Sequence, residues 1–462
     1  MTNRVRPFRR LALGATLAVA TVFGSASARA ETLADAFINA YRSSPLLDQQ
    51  RALLRALDED VAVAVAALRP VVSAQANYSK TLNENGNSGT SASLSLILDY
   101  TLVDGGQRVL RLGATKEAVL AGRYDLLQEE QSLLLNTAAA YIDLLEAVRN
   151  VDLRENNLRL LEQQLQAARD RFEVGEVTRT DVTIAEARQA AARSLLANAR
   201  GQVDIQREVY RLTVGALPTG RLQAPPQAPA LPPSLERAQA LALQVNPTIL
   251  SAQHDIVAAE LLASAAEADR LPTIGLRGTV EENRIRDGAQ ATLGVTGNIP
   301  IYSGGRLSAL NRRAIANAQA TRARLSQQAR IVTENVGRAW ALLQIANAQI
   351  VASRQQVRSS QLAFEGFREE ASLGARTTLD VLDAEQELLD ARTAALQAET
   401  DAQLAIYQVL AAIGLLTTEH LGLSVQRYDP TTYYNQVSNA PAVSPSTQGG
   451  RLDSVLRRYG RN

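Results

Sequence analysis

The sequence predicts an α+β chain that is mostly α, built twice over from one short β-hairpin and one very long helical hairpin. Three observations carry this prediction: a duplication at a fixed offset, period-two alternation in two places, and a heptad repeat sustained through each half. The duplication is plainest where "GEVTRTDVTIAEARQA" from Gly175 meets its counterpart "GARTTLDVLDAEQELLDA" from Gly374. Gly175 pairs with Gly374, Asp181 with Asp380, Ala185 with Ala384 and Glu186 with Glu385, each 199 residues apart. "DGG" at Asp104 matches "SGG" at Ser303, and Gly215 matches Gly414, at the same offset. Upstream the offset becomes 202, pairing Leu33 with Leu235, Pro45 with Pro247 and Pro70 with Pro272. The first copy therefore runs over 31–215 and the second over 234–414, each opening with a helix, and a proline-rich linker at 216–233 joins them.

Ahead of the first copy, Arg4, Arg6, Arg9 and Arg10 precede the apolar run "LALGATLAVATVFG" and then "SASARA". A basic head, a short apolar middle and an A-x-A end predict a cleavable secretory signal over 1–30, with the mature chain starting near Glu31. The apolar run is shorter than the roughly 20 residues of a spanning helix, which argues against an anchor. Five of the 48 basic residues lie in this leader and no acidic one does, which leaves 43 against 47. That mildly acidic balance argues against nucleic acid as a partner. The chain has no cysteine, hence no disulfide and no thiolate metal site, and its two histidines, His254 and His420, are far apart. They are expected as surface or packing residues.

The first β-hairpin is predicted over about 70–103. In "ASLSLILDYTL" Leu94, Leu96, Leu98, Tyr100 and Leu102 share a face, and "PVVSAQANYSK" alternates Val72, Ala74, Ala76 and Tyr78 with Ser73, Gln75 and Asn77. "NENGNSG" between them is turn chemistry. The second hairpin, about 272–302, repeats the design with Ile274, Leu276 and Val280, a turn at "RIRDGAQ", then Leu293, Val295, Ile299 and Ile301. Gly105 and Gly305, with Pro70 and Pro272, mark the changes between strand and helix.

After each double glycine the period becomes helical. Leu325, Ala329, Val332, Val336, Ala339, Leu343, Ala346, Ile350, Val357, Phe364 and Phe367 follow steps of four and three, interrupted at Ser353 and Ser360. The sister seam runs from Leu126 through Leu133, Ala140, Leu144, Leu161, Leu165 and Ala168 to Phe172. Such a repeat predicts a left-handed coiled coil. Gly106 to Gly175 is 69 residues, about 100 Å at a rise of about 1.5 Å each. Each tip glycine then reverses the chain into a return helix of about 40 residues. A segment at 415–435 follows the second copy, and the Ser, Pro and Gly-rich stretch 436–462 reads as a disordered tail.

Four strands with one apolar face cannot close a barrel, and open strand edges are not tolerated in lipid. Their length suits a tilted strand of an outer membrane, so closure calls for several chains. The alternative is a periplasmic or cell-surface coiled-coil scaffold with no channel. An enzyme is disfavoured, since there is no nucleophile with a histidine partner and "DGG" lacks the lysine of a phosphate loop.

The chain resembles the TolC-type outer-membrane efflux proteins along nearly all of its mature length. The likeness rests on the duplicated hairpins, "PIYSGGRLSAL" from Pro300, "VGEVTRTDV" and "LGARTTLDVLDA" at the tips, and "YDPTTYYNQV" after the second copy. The resemblance implies a homotrimer: a twelve-stranded β-barrel in the outer membrane, four strands from each chain, continued by a long coiled-coil α-barrel in the periplasm. It implies an exit duct for small molecules or secreted proteins. The duct docks with a periplasmic adaptor protein and, through it, an inner-membrane pump of the ABC, RND or MFS type. No cofactor is expected. By similarity Asp380 and Asp383 form stacked carboxylate rings at the periplasmic gate, where cations bind and like charges raise one another's pKa. Asp181 and Arg376 match the family's latch between outer and inner hairpins, with Glu173 or Glu176 as competitors for the arginine. Ala371 stands where the family often has a tyrosine. Val174, Gly175, Glu176, Leu373, Gly374 and Ala375 make the tips that meet the adaptor.

Overall fold

The computed structural model describes residues 30–82, 88–225, 229–283 and 288–440. The expected leader through residue 29, most of both hairpin turns and the tail beyond residue 440 lie outside the described residues.

Two helices open the chain. The first, α1 (Leu33–Ser43), starts with a capping box in which the Thr32 hydroxyl accepts the Asp35 N–H and the Asp35 carboxylate accepts the Thr32 N–H. Proline at the first position and Ser44 as cap start α2 (Pro45–Ala66). Next come β1 (Val71–Leu82), β2 (Ser88–Val103), the long α3 (Gln107–Glu173) and its return α4 (Arg179–Val214). The second copy repeats the order with α5 (Leu235–Val245), α6 (Pro247–Ala268), β3 (Thr273–Asn283), β4 (Gly288–Asn298), α7 (Arg306–Ser372) and α8 (Thr378–Ile413). A short α9 (Pro430–Val437) closes the described chain. Both long helices have 67 residues and both return helices 36. Among the described residues no helix is long and apolar enough to cross a membrane.

The two expected hairpins join into one antiparallel sheet of order β1-β2-β3-β4. The pairing of β2 with β3 bridges the two copies and leaves β1 and β4 as edges. The register keeps one face mostly apolar across all four strands, as in the row Val72, Leu98, Gly278 and Leu293. The neighbouring row on the opposite face, Ser73, Ile97, Thr279 and Thr292, is mostly polar. On that face Arg277 also donates to Asp99 at 2.7 Å. Two details depart from simple alternation. Leu102 is the extra residue of an irregularity between Thr101 and Val103. Ile299 and Ile301 lie beyond β4, which ends at Asn298 before Pro300, a residue with no N–H to give to a ladder.

The helices pack as coiled hairpins, α3 with α4 and α7 with α8, while α6 and then α8 lie between α3 and α7. Along α7 the buried seam includes Val332, Val336, Ala339, Leu343, Ala346 and Phe364. Ser353 and Ser360, read from the sequence as interruptions, are buried in the same seam. Ser353 satisfies its hydroxyl on the Ile350 carbonyl at 3.3 Å, so a small polar residue fits a close helix approach. At the far end of the sister seam Phe172 is exposed, where α3 runs out into the tip.

Midway along the helices the linker is stapled to the start of the chain. Glu31 and Leu222 form a parallel bridge, and the Tyr210 hydroxyl donates to the Glu31 carboxylate at 2.6 Å. The segment after the second copy wraps back over α2 and α3. Arg51 lies between the rings of Tyr41 and Tyr428, Arg123 over Tyr434, and Val437 is fully buried. Residues 436 and 437, expected as the start of a disordered tail, instead end α9, because Val437 supplies its apolar anchor.

Candidate gate at the helix tips

Both tips are built the same way, and the sequence explains each step. The Glu176 N–H donates to the Arg171 carbonyl at 2.9 Å and the Gly175 N–H to the Phe172 carbonyl at 3.0 Å. Ala375 with Glu370 and Gly374 with Ala371 repeat this at 2.9 and 3.1 Å. This Schellman closure needs a left-handed residue, and Gly175 and Gly374 supply it at φ of 80° and 78°. Thr178 and Thr377 then cap the return helices in capping boxes with Asp181 and Asp380. Val174 and Leu373 project from the ends, 71% and 78% exposed.

The capping box changes the reading of the aspartates. The Asp380 carboxylate accepts the Thr377 N–H at 2.9 Å and its hydroxyl at 2.8 Å, and Asp181 accepts the same pair from Thr178 at 2.9 and 2.7 Å. Within the chain Asp380 is therefore held below the usual carboxylate range, first by the Thr377 backbone N–H and then by its hydroxyl. The raised value expected from clustered charges is not a property of the single chain. Asp383 has a different partner: Arg188 on α4 donates to it at 2.6 Å, an ion pair from the first copy to the second.

Asp181 and Arg376, expected to latch together, share no hydrogen bond or ion pair among the described residues. Arg376 donates to Glu370 at 2.8 Å and stacks over the Phe367 ring at 4.6 Å. Neither Glu173 nor Glu176 takes the arginine; Glu370 does, because the Schellman turn brings position 376 back over the last turn of its own helix. His254 packs on Tyr124 and meets Glu117 at 2.6 Å. Among the described residues no group of three or more His, Cys, Asp or Glu is placed to hold a metal.

A family model described as outer membrane efflux protein matches residues 39–215 and again 239–415. This chain belongs to the outer membrane efflux protein family. It is a family of outer-membrane channels and not of enzymes. The chain is 36% identical over 437 residues to the outer membrane efflux protein BepC of Brucella suis biovar 1 (strain 1330), a match that covers 93% of this chain and 96% of that protein. It is 26% identical over 422 residues to the outer membrane protein TolC of Escherichia coli (strain K12), covering 86% and 85%. The fold matches that in the crystal structures of CusC with a TM-score of 0.75 at 21% identity, over 83% of this chain and 92% of that one.

Sequence reading overlooked most of the contacts between the two copies of this efflux protein. Asn157 of α3 donates to Glu385 of α8 at 3.0 Å, and Thr400 of α8 donates to Glu146 of α3 at 3.0 Å. Glu385 is 3% exposed, and burial pushes its carboxyl up to about 7. The signal available was the repeat itself. Glu186, the sister of Glu385, is exposed and paired with Arg169 at 2.7 Å, so one glutamate kept in both copies does two jobs.

Proposed function

We propose that three copies of this outer-membrane efflux protein close into one water-filled exit duct, which passes small molecules outward from an inner-membrane pump and its periplasmic adaptor. One observation carries the reading: a four-stranded sheet with an apolar face, a polar face and two unpaired edges, set on helices about 100 Å long. A single sheet of this kind satisfies its edge N–H and C=O groups in lipid only by pairing β4 with β1 of another copy. Three copies give twelve strands, with the apolar rows towards lipid and the polar rows towards water. The similarity to an efflux protein over nearly its whole length favours small molecules as cargo.

The gate lies where the return helices begin. Asp380 and Asp383 of three chains form rings that favour cations and oppose their own convergence. Arg188 with Asp383 holds the outer hairpin to the inner one near this ring. A latch between Asp181 and Arg376 forms only if Arg376 exchanges Glu370 for Asp181. The exposed tips, 174–178 and 373–377, meet the adaptor.

Planar-bilayer recording on the purified protein tests the reading. The expected result is a discrete conductance whose block by added cations weakens in the Asp380→Ala, Asp383→Ala double variant. Unchanged block removes the two aspartates from the gate, and the absence of any conductance removes the duct.

A further inference from the structure

We propose that the seam where α3 of the first copy lies along α8 of the second is a proton-operated catch, which grips while its carboxyl groups are neutral and loosens as they ionise. The seam is held differently from the hairpins it joins. Within the hairpins ion pairs cross between the helices: Arg169 with Glu186, Arg193 with Glu162 and Arg200 with Glu155 between α3 and α4, and Arg354 with Glu399 between α7 and α8. Across the seam the carboxyl groups face neutral donors instead, the Asn157 amide on Glu385 and the Thr400 hydroxyl on Glu146. Asp143 and Asp401 lie beside Glu146.

Glu385 is the decisive member. One of its oxygens takes the Asn157 bond; the other is buried with no hydrogen-bond donor among the described residues. A buried carboxylate with an unserved oxygen costs far more than the neutral acid in the same place. The charged groups around it are committed elsewhere. On α4, Arg188 holds Asp383 and Arg193 reaches Glu162 of α3. On α7, Arg368 lies over the Phe364 ring and Glu365 accepts from Gln361, which in turn accepts from Arg392 of α8 at 2.5 Å. Higher up, Arg149 and Arg354 line a groove with Glu399, and Glu129 lines the cleft that Asp143 enters.

The sign follows from these surroundings. Burial raises Glu385, and burial first, then the Asp401 charge, raises Asp143 and likewise Glu146 against its Thr400 bond. An acid raised in the closed seam stabilises it fully below the ordinary value of 4.5, and that stability is lost as pH climbs to about 7. Ionisation favours any arrangement that lets Glu385 reach water, which separates α8 from α3. The effect on opening rests on the tip gate proposed above; the catch itself does not.

Amide hydrogen exchange on the full-length protein in detergent, corrected for the intrinsic rate, reads the seam without using the gate. Protection around Asn157 and Glu385 is expected to fall by roughly tenfold between about pH 6 and about pH 8. Glu385→Gln should keep the seam protected at both, and Asn157→Ala, which removes the bond that favours the ionised form, should move the transition to higher pH. A wild-type profile flat across this range, or the same profile in Glu385→Gln, overturns the catch. Conductance of the Asp380→Ala, Asp383→Ala variant judges the gate separately.

Discussion

Asp181 and Asp380 hold equivalent places in the two copies, and each completes a capping box with the threonine three residues before it. Removing the acceptor side of one box, Thr178→Ala, should cost about 1 kcal/mol at the start of α4. Faster amide exchange confined to the first turn of that helix checks it. Both aspartates are held low by the Thr178 and Thr377 bonds, so their contribution is complete above the ordinary value of 3.8 and disappears as pH falls through the lower folded value. Fraying of both tips in acid, opposite in sign to the behaviour of the Glu385 seam, is the expected outcome in the same experiment. Arg188→Ala breaks a pair whose members are 40% and 57% exposed, worth about 0 to 1 kcal/mol in one chain. In the proposed duct three such pairs act on one opening event, so the expected effect is an increase in basal conductance. Arg188 was not legible beforehand, because position 387 in the second copy is a glutamate and nothing local to α4 points at α8.

At the scale of elements, glycines with the same φ sign carry different loads. Gly374 has open space around the position of a Cβ, so Gly374→Ala pays only for a left-handed alanine, about 1 to 2 kcal/mol. Gly414 closes α8 at φ of 101°, and a Cβ there falls 2.7 Å from the Asn246 Cα, which is backbone and cannot step aside. Gly414→Ala should therefore cost roughly 1 to 3 kcal/mol more than Gly374→Ala, measured as loss of heat resistance of the assembled protein. The sequence announced both glycines through the repeat but not this difference, which arises because the start of α6 packs on the end of α8. The long seams were legible for a similar reason: heptad spacing shows which face is buried. It does not say whether a serine in that face breaks the seam, as Ser353 and Ser360 show. At Ser353 the hydroxyl bonds its own helix.

For the whole molecule, periodicity within each copy showed two hairpins, while the junction of β2 with β3 that makes them one sheet could not be read from either copy alone. Pairing between distant strands leaves no local mark, only compatible alternation such as Leu96 opposite Val280 and Leu98 opposite Gly278. The same limit applies to the edges, where β4 and β1 have no partner within the described chain. If copies pair through these edges, the two faces of β4 must differ in what they tolerate. Leu293 lies on the apolar row and is 74% exposed in the single chain, whereas Thr292, next to it, bonds Thr279 on the polar row. An arginine at the first position would meet hydrocarbon, at about 2 to 4 kcal/mol per chain near the bilayer midplane. An arginine at the second would meet water and change only the charge of the lumen. Leu293→Arg should thus reduce the yield of heat-resistant oligomer in the outer membrane, and Thr292→Arg should assemble normally with lower cation permeability. If instead both variants assemble equally well, or the Thr292 variant alone fails, the apolar rows do not face lipid.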